Sequence, residues 1–365
     1  MGKASKSTFK ILLLPGDGIG TEVLQEAEKV LKTVEETTDI KFEIEKELIG
    51  GASIDDRGVP IVDSVLRMAK KSDSVLLGAV GGYKWDTLPI SKRPEQALLS
   101  LRYELGVWAN LRPVKIFAPL VGISPLKPDI ILGMDILIVR ELTGDAYFGK
   151  PRYKKEKDAK NTIKYTRKEV ERIARLAFDL SLKRSKKLTS VDKANILEVY
   201  SFWRDIVNEI AKQEQYKTVN LEHMFIDTFA MRLITHPRKF DVVLSSNMFG
   251  DIISDEGGGI IGSLGLCPSA SLGDTKRGLY EPVHGSAPDI AGKGIANPIG
   301  AILSVSSMLR YSFDEEEKAV LIERAVEEVL KEGKRTPDIS TDGKEEIVST
   351  KKFGDAVISK IKTMI

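Results

Sequence analysis

The amino-acid sequence predicts an α/β protein whose sheet is covered by helices. Short apolar runs typical of strands alternate with segments of helical periodicity along nearly the whole chain. Of the 365 residues, 42% are hydrophobic and 30% are charged, a balance typical of globular proteins rather than disordered ones. A chain of this length is expected to form one large domain or two tightly joined ones.

Strand and helix predictions follow one another along the chain. The strands are short apolar runs, and the helices are longer segments whose apolar residues recur with the helical period. The predicted strands are FKILLLPG (9–16), SDSVLLGAV (72–80), DILIVREL (135–142), KLTSVD (187–192) and FDVVLSS (240–246). The predicted helices are TEVLQEAEKVLKTVEE (21–36), RKEVERIARLAFDLSLKR (167–184), ILEVYSFWRDIVNEIAK (196–212), NPIGAILSVSSMLRYSF (297–313) and DEEEKAVLIERAVEEVLKEG (314–333). The least regular segments are 81–94 and 150–164, and the second, rich in lysine, is expected to be a surface excursion.

Charge and cysteine content argue against several classes of function. Lys and Arg number 55 against 53 Asp and Glu, so the net charge is +2 and nucleic acid is a poor candidate partner. Cys267 is the single cysteine, which excludes an intramolecular disulfide and a metal site made of several cysteines. No apolar stretch approaches the roughly 18 residues of a membrane span. We therefore expect a cytoplasmic enzyme.

Two aspartates stand four residues apart in NMFGDIISDEGGG (247–259), directly after the predicted strand FDVVLSS. In a helix, Asp251 and Asp255 lie on one face and repel each other unless a cation lies near them. A metal ion, a cationic substrate group or a neighbouring arginine would each explain the pair. The alternative is that Asp251, which follows Gly250, caps the start of a helix and faces solvent.

Three arginines stand on or near predicted strands and helices. They are Arg102, Arg112 and Arg140. Arg140 follows the apolar run DILIV, and an arginine at the end of a buried strand needs an anionic partner because an unpaired buried charge is costly. Planar guanidinium groups bind carboxylates through two hydrogen bonds, so the three arginines suit a substrate with two carboxylates. Ordinary ion pairs with Glu104, Glu141 or the aspartates are the alternative.

Further polar candidates follow other predicted strands. Lys193 stands just past KLTSVD, Asp227 lies between a strand and a helix, and Tyr147 lies in the loop after DILIVREL. A lysine at a strand end is most often simply solvated, so Lys193 alone does not indicate catalysis. The carboxylate oxygens of the three aspartates are hard ligands, which suit Mg²⁺ or Mn²⁺ rather than zinc.

Two glycine-rich loops are candidates for binding a nucleotide. PGDGIG (15–20) follows a strand and precedes a helix, but its glycines do not match G-x-G-x-x-G and no acidic residue about 20 positions on ends a second strand. A tight turn is therefore expected there. YEPVHGSAPDIAGKGIANP (280–298) is rich in Gly, Pro and small residues, so a ligand can lie close to its backbone. His284 in this loop belongs either to the site or to the packing of the loop.

The motifs together resemble those of one enzyme family. The segments with this similarity, in order and spacing, are LLPGDGIG, IGGASID, LLGAVGG, ANLRP, VRELTGDAYFG, SVDKANILE, NMFGDIISDE, GSLGLCPSASLG and EPVHGSAPDIAGKGIANP. They resemble the metal-dependent β-decarboxylating dehydrogenases of the isocitrate/isopropylmalate type, from about Phe9 to the C-terminus. The resemblance implies NAD-dependent oxidative decarboxylation of 3-isopropylmalate to 2-oxoisocaproate in leucine biosynthesis.

A fold and an assembly are also implied by the resemblance. The family fold is not a Rossmann fold: two α/β domains share a mixed sheet, with the active site in the cleft between them. The first domain is expected to take both chain ends, 1–107 and 262–365, and to carry the adenosine loop. The second, 108–261, is expected to carry the metal aspartates and the interface of a homodimer whose active site is shared between subunits.

Residue roles follow from the same resemblance, position by position. Asp251 and Asp255, with Asp227 contributed by the partner subunit, are expected to bind Mg²⁺ or Mn²⁺ beside the substrate. Lys193, also contributed by the partner subunit, is expected to take the substrate hydroxyl proton, and Tyr147 is expected to protonate the enolate carbon. The residues expected to bind the substrate carboxylates are Arg102, Arg112 and Arg140.

Specificity for cofactor and substrate is implied by two further segments. HGSAPDIAG matches the family's adenosine loop, where Asp289 favours NAD⁺ because a carboxylate accepts hydrogen bonds from ribose hydroxyls but repels a 2′-phosphate. NADP⁺-dependent relatives tend to carry Lys-Tyr where this chain has Asp289 and Ile290. Leu98 and Leu99 are apolar where isocitrate dehydrogenases carry polar residues, and with Ile196 they suit an isopropyl group. The residues expected to bind the cofactor are Glu95, His284, Gly285, Ser286, Ala287, Asp289, Ile290 and Asn297.

Some positions depart from the family pattern. Gly144-Asp145-Ala146-Tyr147 replaces the usual Gly-Gly-Ile/Leu-Tyr, so the carboxylate of Asp145 either raises the pKa of Tyr147 or faces water. DTFAM (227–231) replaces DNAAM, and the glycines 257–259 are expected to weaken the helix behind the metal site. The alternative functions are oxidation of homoisocitrate or of D-malate and tartrate, and a catalytically silent relative that binds nucleotide or protein.

Overall fold

The computed structural model describes residues 8–341 and 345–365. Residues 1–7 and 342–344, which fall in the expected first domain, lie outside the described residues. The chain divides into two compact units: unit 1 comprises Met1–Val107 with Ser263–Ile365, and unit 2 comprises Trp108–Gly262. The resemblance placed the first boundary at the same position, 107/108, and the second one residue earlier, at 261/262.

Strands and α-helices alternate through most of the chain, with short 3₁₀ turns between them. The strands of the described residues are β1 Thr8–Gly16, β2 Lys41–Lys46, β3 Ser74–Ala79, β4 Val107–Lys115, β5 Asp135–Glu141, β6 Tyr153–Lys154, β7 Ala159–Lys160, β8 Lys187–Asp192, β9 Asn220–Phe225, β10 Val242–Ser245, β11 Pro268–Gly273, β12 Gly278–Pro282, β13 Lys334–Arg335 and β14 Glu346–Ile347. The helices of the same residues are α1 Gly20–Thr37, α2 Gly51–Arg57, α3 Asp63–Lys71, α4 Glu95–Leu105, α5 Pro128–Ile131, α6 Arg167–Leu182, α7 Glu198–Ala211, α8 Ile226–Thr235, α9 Asn247–Ile260, α10 Ile299–Tyr311, α11 Glu316–Lys331 and α12 Thr350–Met364.

Unit 1 is built on strands in the order β2-β1-β3-β12-β11. β1 is parallel to β2 and β3, and β12 is parallel to β3 but antiparallel to β11. Helices α1, α10, α11 and α12 pack on one another, and α10 also packs on β11 and β12. Every residue of β3 is buried, as expected for an apolar strand covered on both faces.

Unit 2 is built on strands in the order β4-β5-β10-β8-β9. β5, β10, β8 and β9 are parallel, and β4 is antiparallel to β5. Helices α6 and α7 pack on each other and on these strands, and Tyr200 and Trp203 of α7 are fully buried in the core. Because the carboxyl ends of parallel strands meet at one edge of a sheet, Arg140, Lys193 and the start of α9 all lie at that edge.

The five strands and five helices predicted with ranges agree with the structure within two residues at each end. The agreement includes the strand KLTSVD, which is β8 without change, and the helix 167–184, which is α6 and ends two residues earlier. The helix begins with a capping box: Thr166 Oγ1 accepts from the Glu169 N–H, and the Glu169 carboxylate accepts from the Thr166 N–H at 2.7 Å. The lysine-rich segment 150–164 contains the exposed two-residue strands β6 and β7. No helix among the described residues is long and apolar enough to span a membrane.

The helix of the aspartate pair begins earlier than the sequence suggested. α9 starts at Asn247, so Asp251 lies in its second turn rather than at its first residue. The N–H of Gly250 is already bonded to the Ser246 carbonyl at 2.9 Å. The interpretation of Asp251 as a helix cap is therefore wrong. Gly257–Gly259 continue the helix to its end at Ile260.

Candidate functional site

The aspartate pair of α9 lies against two arginines from β4 and β5. Arg112 places Nη1 3.3 Å from Asp251 Oδ1 and 3.1 Å from Asp255 Oδ1. Arg140 also donates from Nη1 to Asp251 Oδ1. In the antiparallel register Asn110 stands opposite Arg140, so Arg112, two residues from Asn110, projects from the same face as Arg140. A neighbouring arginine, one of the three explanations for the pair, is therefore present.

Further hydrogen bonds fix the direction of both guanidinium groups. Arg112 donates from Nε to Asn110 Oδ1 at 2.7 Å and from Nη1 to Ser254 Oγ at 2.7 Å. Arg140 donates from Nε to Asn247 Oδ1 at 3.0 Å. The helix comes so close that a Cβ at Gly250 would lie 2.8 Å from Arg140 Cγ, which explains the glycine. Both arginines are buried, so their charges are held in fixed positions beside the half-exposed carboxylate of Asp251.

Partial burial raises the pKa of the Asp255 carboxyl. The Arg112 guanidinium opposes this change, and the negative charge of Asp251 adds to it. The two carboxylates therefore still repel each other between the arginines.

Tyr147 completes the cluster from the loop after β5. Its Oη donates to Asp251 Oδ2 at 3.0 Å, and Arg140 Cζ lies 5.9 Å from the centre of its ring. The pKa of the phenol is raised first by burial, then by the charge of Asp251 and by the hydrogen bond to it. Asp145 adds a smaller increase. A phenol with a raised pKa is protonated near neutral pH, which is the state that a general acid requires.

Asp145 does not face water, so that branch of its interpretation is wrong. Its side chain is fully buried, and Oδ2 accepts from the Met248 N–H at 3.2 Å in the first turn of α9. Tyr165 Oη accepts from the Asn247 N–H at 2.9 Å in the same turn. Ser246, at the N-cap position, makes no side-chain cap hydrogen bond. The beginning of the helix is thus satisfied by residues distant in sequence.

Lys193 and Asp227 contact each other at the start of α8. Lys193 Nζ donates to Asp227 Oδ1 at 2.5 Å, and this hydrogen bond lowers the pKa of Asp227. The Asp227 side chain is 63% exposed, in the first turn of α8. Across residues 8–341 and 345–365, no three His, Cys, Asp or Glu side chains of one chain are arranged to hold a metal ion. The contribution of Asp227 and Lys193 to a partner's site stays a prediction.

The end of β8, where Lys193 emerges, is held by a buried ion pair. Asp192 is fully buried and accepts from Arg204 Nε at 2.9 Å and from Nη2 at 2.7 Å. Its Oδ1 also accepts from the Ala194 N–H at 3.0 Å. The Lys193 Nζ atom lies 6.0 Å from the ring centre of Phe225, which ends β9. The backbone on both sides of Lys193 is thereby fixed, while its ammonium group binds Asp227.

The donor atoms at the aspartate pair fit a hard divalent cation. Asp251 and Asp255 supply carboxylate oxygens, and Mg²⁺ is commonly held by one or two carboxylates together with water and substrate oxygens. The positions, one helical turn apart, allow both carboxylates to bind one ion. Assignment of the pair as Mg²⁺ or Mn²⁺ ligands remains a prediction.

Unit 1 carries the other substrate-binding candidates. Arg102 lies on α4 and donates from Nη2 to Glu281 Oε1 at 2.8 Å, whereas Glu104 binds Lys70 instead. In the part of the chain that the structure describes, the buried Nε of Arg102 has no hydrogen-bond partner. Leu98 is half-buried and Leu99 is exposed on the same helix, and Ile196 of unit 2 is 71% exposed. Their joint role around an isopropyl group stays a prediction.

The expected adenosine loop contains both structural and available polar groups. Asn297 is occupied: its Nδ2 donates to Asp338 Oδ2 at 3.0 Å, and its Oδ1 accepts from the Ile299 N–H at 3.0 Å. His284 Nε2 is buried and has no hydrogen-bond partner among the described residues, and burial lowers the pKa of this imidazole. A neutral ring nitrogen without a partner, in a loop whose Ala287 has φ +39°, fits contact with a ligand. Gly285, Asp289 and Ile290 are at least partly exposed, Ser286 is buried, and Glu95 is exposed on α4.

The glycine loop 15–20 is a turn whose donors are already used. The N–H of Asp17 donates to the Ala79 carbonyl at 2.8 Å, that of Ile19 to the Ser286 carbonyl at 2.8 Å, and that of Gly20 to the Asp17 carbonyl at 3.0 Å. A Cβ at Gly18, which has φ +54°, would lie 2.0 Å from the Ser286 carbonyl oxygen. The loop therefore supports the adenosine loop, and these three N–H groups do not face a phosphate.

Two residues near these sites were not singled out for a role from the sequence. The buried Asp17 carboxylate accepts from the N–H groups of Gly51, Ala52 and Gly81, each at 2.8 Å, and so joins three loops of unit 1. Tyr83 donates from Oη to Asp289 Oδ2 at 3.1 Å. An aspartate between two glycines was the available signal for Asp17. Tyr83 stands in the irregular segment 81–94, where nothing in the sequence indicated its contact.

Comparisons with known proteins agree on one family. The family model described as isocitrate/isopropylmalate dehydrogenase matches residues 10–357. The chain is 51% identical over 360 residues to a protein named 3-isopropylmalate dehydrogenase from Aquifex aeolicus, covering 98% of each chain. It is 54% identical over 365 residues to one of the same name from Carboxydothermus hydrogenoformans, covering 99% of this chain and 96% of the other.

Solved structures give the same result. Isocitrate dehydrogenase from Methylococcus capsulatus has a TM-score of 0.85 and 33% identity, covering 97% of this chain and 99% of that one. A β-decarboxylating dehydrogenase from Thermococcus kodakarensis has a TM-score of 0.80 and 36% identity, covering 98% and 97%. The matches extend over nearly the whole chain and include the elements that carry the aspartates and arginines. The chain belongs to the isocitrate/isopropylmalate dehydrogenase family.

Proposed function

We propose that the protein is an NAD-dependent 3-isopropylmalate dehydrogenase that produces 2-oxoisocaproate in leucine biosynthesis. The observation that carries the proposal is the meeting of Asp251 and Asp255 with Arg112, Arg140 and Tyr147 in unit 2. Relatives at about half identity over nearly the full chain carry the name of this activity. The cluster supplies cations for an anionic substrate and a phenol for proton transfer.

The arginines bind and orient the substrate. Arg112 and Arg140 are buried and held by Asn110, Ser254 and Asn247, so little side-chain freedom is lost when a carboxylate binds. Arg102, held by Glu281, is the third carboxylate-binding group. Leu98 contacts the isopropyl group, and buried apolar contact discriminates between substrates by about 1–3 kcal/mol per methylene group.

Two proton transfers are assigned to residues of this protein. Lys193 takes the proton of the C2 hydroxyl while the C2 hydride leaves for the cofactor, and the product is a β-keto acid. The bond between C3 and its carboxylate then breaks and CO₂ leaves. Tyr147 donates the phenolic proton to C3 of the resulting enolate. Asp251 accepts a hydrogen bond from this phenol and so keeps its proton near the cluster.

The divalent metal ion and the nicotinamide cofactor have defined places in this scheme. Asp251 and Asp255, with Asp227 of the partner subunit, would hold Mg²⁺ or Mn²⁺, which when bound polarises the hydroxyl and carbonyl oxygens at C2. Residues of the loop 284–297, with Glu95, would hold NAD⁺, which when bound accepts the hydride. Asp289 accepts from the ribose hydroxyls and disfavours a 2′-phosphate. The hydrogen bond from Tyr83 to Asp289 supports this orientation of the carboxylate.

A homodimer completes the site in this proposal. Asp227 and Lys193 contact each other at the start of α8, and among the described residues no third carboxylate, imidazole or thiol completes a metal site with the aspartate pair. Met231 and Ile234 on the same helix are 57% and 44% exposed. Exposed apolar side chains on one helix beside exposed catalytic candidates suit an isologous interface with a second copy.

The direct experiment is a spectrophotometric assay with Mn²⁺, NAD⁺ and 3-isopropylmalate, with D-malate and isocitrate in parallel. We expect NADH to form with 3-isopropylmalate and to stop when a chelator is added. Asp251→Asn and Asp255→Asn are expected to lower kcat by about 10²-fold or more, because each removes a charged ligand of the cation. Asp205→Asn, an exposed aspartate on α7 of the same unit, is the matched control and should keep full activity.

The parallel substrates separate the alternatives. Faster turnover of D-malate or isocitrate would reject 3-isopropylmalate as the substrate while leaving the reaction class intact. NAD⁺ binding without turnover of any of the three acids would reject the enzyme and support a catalytically silent relative. Activity that survives both aspartate substitutions would reject the metal site.

A further inference from the structure

Asp145 has a backbone conformation that is uncommon for residues other than glycine. Its φ is +72°, in the left-handed region that favours glycine. This chain nevertheless places a side chain here, and that side chain is fully buried. A non-glycine residue in this region costs about 1 kcal/mol or more, so the contacts of its side chain must offset the strain.

The carboxylate of Asp145 joins four backbone and side-chain donors. Oδ1 accepts from the Ala146 N–H at 2.6 Å. Oδ2 accepts from the Met248 N–H at 3.2 Å, from Tyr165 Oη at 3.2 Å and from Tyr200 Oη at 3.4 Å. Both tyrosines are buried, and Tyr200 also bonds Ser246 at 3.0 Å. Asp145 therefore binds the loop after β5 to the N-terminus of α9.

The two elements that Asp145 joins carry the reacting groups. Tyr147 follows it by two residues in the loop, and Asp251 follows Met248 by three residues on α9. Their side chains meet at 3.0 Å between Tyr147 Oη and Asp251 Oδ2. Two backbone hydrogen bonds also hold this loop at Asp145. Its N–H donates to the Lys164 carbonyl at 3.2 Å, and its carbonyl accepts from the Gly149 N–H at 2.9 Å. A shift at Asp145 would thus change the distance between the phenol and the aspartate.

We propose that Asp145 is a positioning residue that fixes the Tyr147 phenol against the aspartate pair of α9, so that the proton reaches the enolate carbon. Asp145 itself does not touch the substrate. The inference rests on the proposed function, because it concerns the protonation step of that reaction. It assigns a catalytic consequence to the place where this chain departs from the family pattern.

Steady-state kinetics of Asp145→Asn test the inference. Asn tolerates a positive φ and keeps one acceptor oxygen but loses the other. We expect kcat to fall about tenfold, while the KM values for 3-isopropylmalate and NAD⁺ change less than about twofold. Asp145→Gly, which relieves the backbone strain, is the second variant, and its kcat should fall at least as far. The inference would be overturned if KM rose as much as kcat fell. It would also be overturned if kcat were unchanged in both variants.

A double-mutant cycle distinguishes positioning from simple stabilisation. If Asp145 acts through the phenol, Asp145→Asn should lower kcat by less than about twofold when Tyr147→Phe is already present. Equal losses in both backgrounds would mean that Asp145 acts independently of Tyr147 and would reject the proposal. Ser349→Ala, which removes the side-chain cap of α12 in unit 1, is the control for loss of a helix cap and should leave kcat unchanged.

The wild-type protein separates this inference from the proposed function. An active wild type whose Asp145 variants lack the expected pattern refutes the inference alone. A wild type that oxidises neither 3-isopropylmalate nor the other acids refutes the proposed function and, with it, the protonation step that Asp145 would serve. Thermal unfolding of each variant, followed by circular dichroism, identifies any loss of kcat that comes from unfolded protein.

Discussion

The side chain of Asp289 has a hydrogen-bond partner that the sequence did not indicate. Its carboxylate accepts from Tyr83 Oη at 3.1 Å, and both side chains are exposed in unit 1. The preceding residues 284–287 include His284, whose Nε2 has no hydrogen-bond partner within residues 8–341 and 345–365, and Ala287, whose φ is positive. A single negative charge in such an open loop can select between cofactors, because a 2′-phosphate would approach it directly.

Replacing Asp289 by Lys together with Ile290 by Tyr is expected to change cofactor preference. The KM for NAD⁺ should rise about tenfold, because hydrogen bonds to a charged group contribute about 1.5–3 kcal/mol. NADP⁺ should become a usable substrate because the lysine attracts the 2′-phosphate that the aspartate repels. Initial rates measured against both cofactors with 3-isopropylmalate check the result.

Asp39→Lys is the matched control for this exchange. It makes the same change of charge at a side chain that is 91% exposed in unit 1. An equal effect of the control on the KM for NAD⁺ would show that general charge, rather than the ribose contact, is responsible. A double variant that still discriminates against NADP⁺ as strongly as the wild type would contradict the role of Asp289.

The sequence predicted which residues belong to the candidate site more readily than which residues they contact. Arg112, Arg140 and the aspartates were candidates because charged residues beside apolar runs need an explanation. That Arg112 Nη1 lies within 3.3 Å of both carboxylates depends on the register of β4 against β5 and could not be read from spacing. Asp145 was uncertain for the same reason, since three of its four donors come from residues 20 to 103 positions away.

Helix α9 combines a functional face with a glycine-rich end. Its glycines have different surroundings although they are adjacent in sequence. A Cβ at Gly257 would lie 3.0 Å from both Cγ atoms of Val114, so the helix approaches β4 closely there. A Cβ at Gly259 would meet nothing within 4 Å, and this residue is exposed. Glycine is thus required for packing at position 257, whereas position 259 has room for a larger residue.

Gly259→Ala is expected to stabilise the protein by about 0.5–1 kcal/mol, because alanine restricts the unfolded chain and favours helix. Gly257→Ala should gain less or destabilise, because its methyl group presses on Val114. Unfolding by urea, followed by circular dichroism, measures both changes against the wild type. A Gly257→Ala variant as stable as Gly259→Ala would contradict the close packing of α9 on β4.

The boundaries of elements were predictable where the local pattern is strong. β8 matches its predicted range because its apolar run stops at a charged residue, Asp192. This aspartate is buried and forms an ion pair with Arg204. α9 was predicted to start too late, because its first turn is stabilised by Asp145 and Tyr165 from distant segments. The sequence predicts the start of a helix well when the capping residues are neighbours in sequence, as in the capping box of α6. It fails when the capping groups come from distant segments.

At the scale of the whole molecule, one chain holds two incomplete groups of catalytic candidates. Arg112, Arg140, Asp251 and Tyr147 form one group, and Lys193 with Asp227 forms the other. The proposed homodimer brings the second group of each subunit to the first group of its partner. An isologous interface then makes two identical sites.

Subunit complementation tests this arrangement. Lys193→Ala and Asp251→Asn homodimers should each be inactive, because every site lacks one required group. Co-expressed or reassociated together, they form heterodimers in which one site carries both defects and the other carries none, so about one quarter of the wild-type activity should return. Mixing Asp251→Asn with Asp255→Asn is the control and should restore nothing, because both aspartates of a site come from the same subunit. Recovery in the control, or none in the first mixture despite demonstrated exchange of subunits, would mean that each chain forms its site without the partner's Lys193.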